Sequence, residues 1–422
     1  MPDAAVFPLR NKPATKVKRL YSSFFLVVFA LFMSLGNFFR LFSLPYFPSS
    51  FSIIEAALYL FALPIYFAKW RKSQLLFVMI FLSFCYGTLL HGFEEIALLY
   101  SLKLIGMITA GVAVGEVLFF LFADEIDLAM RYIIGVFTLV LVIGFVLLLF
   151  FPAAQSLFQL LGQYGVKFHG DPHCNRFISS FFDPNYYSAI ACIPLLLCWF
   201  YRDKSFYFFA LALLIFSSIL LSWSRSGIAT ALFLMGGMSI GALSRLSSLS
   251  IDLKRLTAGG LYLGLLLISP FIFSEEWAIF LSRTFGMFDD PSAYARLQTF
   301  QEAWPYLSAH PFFGNGYNYF AALLREEVGI LAPDSSMLLT LGNFGAIPTL
   351  FFLFFGGIWS VRRGFFQPKK NIFPMNLYFW LYIYMLVCIL FTSQFNNLLY
   401  YQFWLIPIIA IFTYLDRYQD IT

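Results

Sequence analysis

The chain has 422 residues, of which 60% are hydrophobic, 21% aromatic and only 12% charged. Soluble domains carry about a quarter charged residues, so this composition excludes a soluble globular protein and indicates a polytopic membrane protein. The net charge of +5 does not indicate nucleic-acid binding, because the basic residues lie in short clusters between apolar runs. Clusters of that kind report membrane topology.

A basic arm, residues 1–19, precedes the first apolar run and is predicted to be cytoplasmic. Its basic residues are Arg10, Lys12, Lys16, Lys18 and Arg19. No small-residue cleavage site follows, so the first helix is expected to remain as an anchor. Residues 20–422 are predicted to form a single transmembrane domain. The cysteines indicate no disulfide framework, because only Cys174 falls in a polar loop.

Apolar runs long enough to cross a membrane, about 20 residues each, recur along the whole chain and predict an all-α bundle of about 12 spans. The predicted spans are 20–39, 51–68, 75–91, 97–122, 130–151, 186–201, 206–222, 227–243, 257–273, 336–360, 376–392 and 400–415. No internal repeat at a fixed period is visible, so the sequence does not support an inverted-repeat transporter.

Basic clusters between the spans fall on one side, which the positive-inside rule makes cytoplasmic, together with both termini. They are the N-terminal arm, 69–72, 202–204, 245–255 and 362–370. An acidic loop near Asp124, Glu125 and Asp127 falls on the same side and runs locally against the rule. The opposite side receives two long loops, near 152–185 and 274–335.

Neither long loop has the pattern of an independent soluble domain. Loop 152–185 carries glycines and prolines among aromatic residues, which indicates short interfacial pieces. Loop 274–335 contains an amphipathic stretch, Ala293 to Leu307, which is expected either to lie along the membrane surface or to pack onto the bundle. Its apolar stripe is formed by Tyr294, Leu297, Phe300, Trp304 and Leu307.

Three arginines lie at the outer boundary of the apolar layer: Arg176, Arg225 and Arg296. A guanidinium group stays charged and binds phosphate oxygens with two parallel hydrogen bonds, so these residues are candidate ligands of a lipid-linked diphosphate. The alternative is that each arginine only anchors a helix end by reaching the interface. Arg225 favours the binding role most, because its turn is too short to be a solvated loop.

Asp334 precedes Ser335 and Ser336 at the start of the tenth predicted span. An Asp or Ser before a helix most often caps the free backbone N–H groups. The functional alternative is that Asp334 acts as a general base for a sugar hydroxyl, which partial burial would favour.

Other polar residues carry weaker signals. His169, Asp171, His173 and Cys174 could bind zinc, but their spacing matches no common structural site, so chance clustering in a polar loop is favoured and no metal is predicted. His310 precedes a tight turn at 311–316, where loop packing is favoured over acid–base work. Lys103 and Glu55 lie inside predicted spans and are candidate intramembrane functional groups.

Four pieces of the sequence, in order, resemble the superfamily of O-antigen ligases and O-antigen polymerases, integral membrane glycosyltransferases of bacterial envelopes. The pieces are Arg176 with Phe182-Asp-Pro-Asn185, the turn Ser222-Trp-Ser-Arg-Ser-Gly227, Arg296 with Trp304 and the 311–316 turn, and Asp334-Ser-Ser336 with Gly345. Together they cover about 170 residues, from Arg176 to Gly345. No piece is specific by itself.

The resemblance implies a GT-C-like helical bundle in the bacterial inner membrane, with an active site that faces the periplasm. It implies a polyprenyl-diphosphate-linked glycan as donor, and a metal-independent, inverting transfer that needs no cofactor. Arg176, Arg225 and Arg296 would then bind the departing diphosphate, and Asp334 would be the base. Asn185, His310 and Ser335 are the supporting candidates. Implied partners are membrane lipid, a chain-length regulator and a flippase.

One departure from the family pattern bears on the reaction. Ligase members usually begin the corresponding helix with His-Asn-Ser, whereas this chain has Asp334-Ser335-Ser336. The departure favours a polymerase of lipid-linked repeat units over a ligase that transfers the glycan to lipid A-core. A flippase or transporter of lipid-linked glycans is the third hypothesis. It is disfavoured because the polar groups concentrate at the outer face instead of near the midplane.

Overall fold

A computed structural model describes residues 16–43, 52–67, 73–123, 125–165, 175–243, 274–285, 291–328, 335–365, 372–394 and 397–421, together with Gly264, Ile268 and Phe271. These residues are almost wholly helical. Within them, the extended structure is limited to an isolated bridge between Ser43 and Ser52. The predicted all-α class is therefore confirmed for the part of the chain that the structure describes.

The α-helices are numbered in chain order. They are α1 (Lys16–Leu35), α2 (Ile53–Phe67), α3 (Ser73–His91), α4 (Glu95–Phe122), α5 (Ile126–Phe150), α6 (Ala154–Gln163), α7 (Pro184–Tyr201), α8 (Phe206–Leu221), α9 (Arg225–Leu243), α10 (Ser274–Phe285), α11 (Pro291–Ala309), α12 (Tyr319–Leu323), α13 (Ser336–Phe344), α14 (Ala346–Phe365), α15 (Ile372–Leu390) and α16 (Gln402–Ile421). Short 3₁₀ turns span Gly36–Phe42, Ser179–Phe181, Thr392–Gln394 and Leu398–Tyr400.

Eleven of the predicted spans coincide with described helices, and the remaining one, 257–273, lies outside the described residues except at three positions. Among the described helices, four are long and apolar enough to cross a membrane, or five if one bent pair is counted as a span. Several others, such as α2 and α8, are apolar but too short for that criterion. The number twelve therefore stays a prediction.

The tenth predicted span, 336–360, is not one continuous helix, so the prediction is wrong in its continuity, although the bent pair together remains a candidate span. The chain bends by 116° between α13 and α14. Gly345 sits at the break with φ +75°, and a Cβ there would lie 2.4 Å from the Phe312 carbonyl carbon. The N–H groups of Ala346 and Ile347 instead reach the carbonyls of Pro311 and Phe312, at 2.8 and 3.1 Å. Loop carbonyls thus satisfy the backbone that the break exposes.

The centre of the bundle is the pair α4 and α16, and its close approach depends on two glycines one helical turn apart. A Cβ on Gly115 would lie 2.5 Å from the Ala410 carbonyl oxygen, and one on Gly111 would lie 2.7 Å from Cβ of Ile409. Small residues at this spacing let two helix backbones pack closely where hydrophobic burial in lipid gives little driving force.

Ion pairs mark one end of the bundle. Lys204, after α7, approaches Asp127 of α5 at 2.6 Å, and Arg417 of α16 approaches Glu116 of α4 at 2.7 Å. The acidic connection near 124–127 and the basic connection near 202–204 therefore lie together, as the topology predicts, and Asp127 is neutralised by a basic neighbour. We call this the inner end of the bundle and the opposite end the outer end.

Candidate active site at the outer end

Arg176 lies directly against the turn that carries Arg225. Its Nε donates to the Ser222 carbonyl at 2.9 Å, and its Nη2 donates to the Trp223 carbonyl at 3.4 Å. The next residue, Phe177, donates its backbone N–H to Leu221 O at 2.9 Å. A guanidinium at the carbonyl end of α8 is favourable because that end is the negative pole of the helix. The structure thus joins two sequence motifs that lie 49 residues apart.

The turn between α8 and α9 owes its shape to its serines and to Gly227. Trp223 adopts a left-handed conformation with φ +52°, and the buried Ser224 hydroxyl accepts the Gly227 N–H at 3.3 Å at the start of α9. A Cβ on Gly227 would lie 2.0 Å from Ser188 Oγ of α7. The absence of a side chain at Gly227 therefore lets α9 pack tightly on α7 and fixes where Arg225 stands.

Side-chain hydrogen bonds connect the start of α9 with the start of α13. Thr230 Oγ1 lies 2.8 Å from Thr392 Oγ1. Two residues later in the same 3₁₀ turn, Gln394 Oε1 accepts from Ser335 Oγ at 3.3 Å. Thr230, Thr392 and Ser335 are fully buried. The helix that begins with Arg225 and the helix that follows Asp334 are therefore held to one common turn.

Ser335 is the N-cap of α13. Its hydroxyl accepts the Leu338 N–H at 3.2 Å, which satisfies one of the free donors of the first helical turn. Asp334 itself lies outside the described residues. Ser335 thus has a structural role, and the two alternatives for Asp334, cap or base, stay predictions.

Arg296 is carried by α11, which packs on α13. Ala303, two turns beyond Arg296, is fully buried in a cluster with Leu338 and Leu339 of α13. Arg296 itself is half-buried. The helices that carry Arg225, Arg296 and Ser335 therefore form one contiguous group through α13.

The apolar stripe predicted on α11 lies on the outside of the protein. Tyr294, Leu297, Phe300 and Trp304 are all exposed, between 37% and 68%. Among the predicted stripe residues, Leu307 packs against the cluster around α13. Four of the five stripe residues are therefore not packed onto the bundle, and of the two alternatives the arrangement favours a position along the membrane surface.

The loop after α11 is the tight turn that the sequence predicts, and it encloses the break between α13 and α14. Gly314 and Gly316 have φ of +72° and +94°, and Asn315 N and Gly316 N donate to Gly342 O and Asn343 O at 2.7 and 3.1 Å. His310 accepts the Gly314 N–H through its carbonyl at 2.9 Å. Its ring lies edge-on to that of His91, with centroids 6.0 Å apart. These contacts support the packing role of His310.

Asn185 lies in the first turn of α7, where Asp183 is the N-cap. Asp183 Oδ1 accepts the N–H groups of Asn185 and Tyr186 at 2.7 and 3.0 Å. The Asn185 carbonyl accepts from Ser188 Oγ at 3.0 Å. These bonds use the Asn185 backbone, so any contribution of its side-chain amide to substrate binding stays a prediction.

Within the described residues, no group of three or more His, Cys, Asp or Glu side chains could hold a metal ion. The predicted weak candidate for such a group, residues 169–174, lies outside the described part of the chain.

The sequence missed a polar cavity of about 130 Å³ at the outer end. Its lining includes Asn37, Arg40, Glu55, Lys103, Tyr401 and Gln402. The sequence indicates two of these residues, Lys103 and Glu55, as intramembrane charges. It does not reveal that they pair, at 3.1 Å between Nζ and Oε1. The sequence signal for this site was the presence of Lys103 and Glu55 inside apolar runs.

A comparison with known protein families gives a match over part of the chain. Residues 209–354 match the family model described as O-antigen ligase. The matched stretch contains Arg225, Arg296 and Asp334, while Arg176 and Asn185 precede it. The match confirms the resemblance to the O-antigen ligase and polymerase superfamily and, with the apolar helices, supports a membrane protein of that functional type. No curated protein and no solved structure matches the chain.

Proposed function

We propose that this protein is a glycosyltransferase that polymerises lipid-linked repeat units of a surface polysaccharide at the outer face of the bacterial inner membrane. The observation that carries the proposal is the buried connection between Arg225's helix and Ser335 through Thr392 and Gln394. Its two ends, Thr230 and Ser335, lie within the matched region 209–354. It ties the helix that carries the candidate phosphate ligand, and the residue after the candidate base, to one turn.

In the proposed reaction, arginines bind the diphosphate of the polyprenyl-linked glycan. The charge on the diphosphate increases as the bond from the anomeric carbon to its oxygen breaks. Cationic donors held in place before the reaction stabilise that charge without reorganisation. Arg225 and Arg296 are the proposed direct ligands. Arg176 already bonds two turn carbonyls, so its first role is to hold the turn that carries Arg225.

Asp334 is the proposed base. The hydroxyl of the acceptor sugar attacks the anomeric carbon and forms the new glycosidic bond, its proton passes to the Asp334 carboxylate, and polyprenyl diphosphate leaves. A single displacement of this kind inverts the anomeric centre. Every atom and charge is accounted for by donor, acceptor and carboxylate, so the step calls for no cofactor.

The ligase reaction is the second candidate, and it is favoured by the description of the matched family. It would use the same donor and the same leaving group, with lipid A-core as the acceptor. The polymerase is favoured by Asp334-Ser-Ser336, which stands where ligases usually carry His-Asn-Ser. Both reactions need an activated hydroxyl beside the departing diphosphate. The proposed arrangement of arginines and base is therefore compatible with either reaction.

Surface glycan profiles of a deletion strain of the source bacterium separate the two reactions. Loss of a polymerase leaves single repeats on lipid A-core, whereas loss of a ligase leaves the core bare while lipid-linked polymer accumulates. Unchanged profiles would refute both.

Complementation of that strain tests the arginines. Arg225→Ala and Arg296→Ala are each expected to lower product formation by about 10²–10³-fold, the usual cost of one transition-state donor. Arg131→Ala, at an arginine over the Phe208 ring near the inner end, is the matched control and is expected to restore long chains. Wild-type chain lengths with Arg225→Ala would remove the diphosphate role. Immunoblots of membrane fractions check that each variant is present.

A further inference from the structure

The polar cavity at the outer end is built from four separate parts of the chain. Asn37 and Arg40 come from the 3₁₀ turn after α1, Glu55 from α2, Lys103 from α4, and Tyr401 with Gln402 from the start of α16. A volume of about 130 Å³ is close to that of cavities that hold one six-membered ring. The cavity thus has the scale of one bare ring, and a sugar residue, which is larger, enters it in part.

Its charged groups are buried and arranged as a pair. The Lys103 and Glu55 side chains are only 8% and 3% exposed, with 3.1 Å between Nζ and Oε1. Tyr59 donates its hydroxyl to Glu55 Oε1 at 2.8 Å. Ionisable residues inside transmembrane helices are costly and usually mark a functional site. This pair is therefore a candidate for ligand recognition.

The chemistry of the lining favours a neutral, hydroxylated ligand. The charge of Glu55 disfavours binding of an anionic ligand, and the charges of Lys103 and Arg40 disfavour a cationic one. An apolar ligand would leave these ionic groups without polar partners. Carboxylate, amide, ammonium and tyrosine hydroxyl groups can together accept and donate hydrogen bonds to several hydroxyl groups of one ring. A sugar ring meets all of these conditions.

The cavity adjoins the candidate active site on two sides. Asn37 Nδ2 donates to the Phe181 carbonyl at 2.6 Å, in the segment that links Arg176 to α7. The Tyr401 ring stacks on that of Tyr186 with centroids 4.1 Å apart. On the other side, Leu399 donates its N–H to Ser336 Oγ at 3.0 Å. The start of α13 therefore contacts both the segment beside the cavity and the Thr392–Gln394 turn that holds α9.

We infer that this cavity binds the acceptor sugar, a neutral residue whose hydroxyl attacks the donor. The inference rests on the proposed glycosyl transfer and extends it. The diphosphate of the donor lies on the Arg225 side of α13, and the acceptor ring lies on the Gln402 side. The two substrates then meet at the start of α13.

Binding of an acceptor fragment without diphosphate tests the assignment. The probe is the oligosaccharide released by mild acid from the lipid-linked repeat unit that accumulates in the deletion strain. Full-length protein in nanodiscs is titrated with this probe, and saturation-transfer NMR measures the dissociation constant. Gln402→Trp, which fills the cavity, and Gln402→Leu, which removes the amide, are expected to weaken binding by about tenfold or more, the scale of a lost buried hydrogen bond.

Two further variants act as controls. Gln419→Leu makes the same change near the other end of α16 and is expected to bind the probe as the wild type does. Arg225→Ala is also expected to bind it normally, since the probe carries no diphosphate. Size-exclusion profiles and thermal midpoints identify misfolded variants. If Gln402→Trp does not fold, the result with Gln402→Leu decides the test.

Wild-type affinity in Gln402→Leu, or no binding of the probe to the wild-type protein, would overturn the acceptor subsite. A failure of the proposed function is a different result: full transfer activity with Arg225→Ala, measured with the intact lipid-linked substrate. Probe binding that depends on Gln402 does not require that activity, so the two failures can be told apart.

Discussion

The two ends of the helical bundle are built differently. At the inner end, the described connections, at Glu125 and at 202–205, are short, and the ion pairs Lys204–Asp127 and Arg417–Glu116 bridge helices there. At the outer end the backbone is irregular. In the described part of the chain, every non-glycine residue with positive φ lies in an outer-end segment, and these residues are Asn175, Ser179, Phe182, Trp223 and Asn318.

This difference is consistent with the proposed position of the active site at the outer end. Left-handed non-glycine residues are strained, and they persist only where the surrounding structure holds them. Irregular backbone at membrane depth is tolerated where it is buried in protein or lines a cavity. Burial in protein and lining of a cavity both occur at the outer end. The polar cavity and the Arg225 turn lie there beside the broken pair α13 and α14.

The largest expected effect comes from Asp334→Asn at the outer end. Removal of the proposed base is expected to lower transfer by about 10²-fold or more. Because Ser335 caps α13, the thermal midpoint should stay at the wild-type value. Transfer from purified lipid-linked repeat units and thermal unfolding in detergent measure the two quantities. Full activity would reject Asp334 as the base.

Gly227→Ala tests the tight packing at the outer end. The added Cβ would meet Ser188 Cβ at 2.2 Å, so we expect a loss of about 1–3 kcal/mol from overpacking. Thermal unfolding in detergent measures the loss. Ser188→Gly in the same chain should restore part of it, since both clashing side-chain atoms are removed.

The control for this substitution is Gly135→Ala in α5, where an added Cβ has nothing within 4 Å. Alanine in an open helical position should be neutral or stabilising by up to ~1 kcal/mol. Equal effects at Gly227 and Gly135 would contradict the packing argument.

The smallest effect is expected at the inner end. Lys204→Ala removes the pair with Asp127, but both side chains are about 40% exposed. Solvent screens such pairs, so the loss should stay below about 1 kcal/mol. Glycan chain length should not change, because Lys204 follows the C-terminal end of α7 whereas Asn185 lies in its first turn. A large loss of transfer activity would show that the two ends are not functionally separate.

Much of the fold follows from local sequence. Apolar runs of sufficient length predict helices such as α5 and α8, and Gly314 and Gly316 predict their turn. The break at Gly345 could not be predicted, because it depends on the Phe312 carbonyl filling the space beside it. Nor could the contact between Arg176 and Ser222, since the two residues meet only after α7 and α8 have packed.

The sequence by itself determined the class of protein, the order of the helices and the three arginines at the boundary of the apolar layer. Composition and hydropathy decide these properties residue by residue. Only the tertiary structure decided that Ser335 caps α13, that Lys103 pairs with Glu55, and that a polar cavity lies beside α13. Those features depend on hydrogen bonds and charge pairs between distant segments, which periodicity along the chain does not encode.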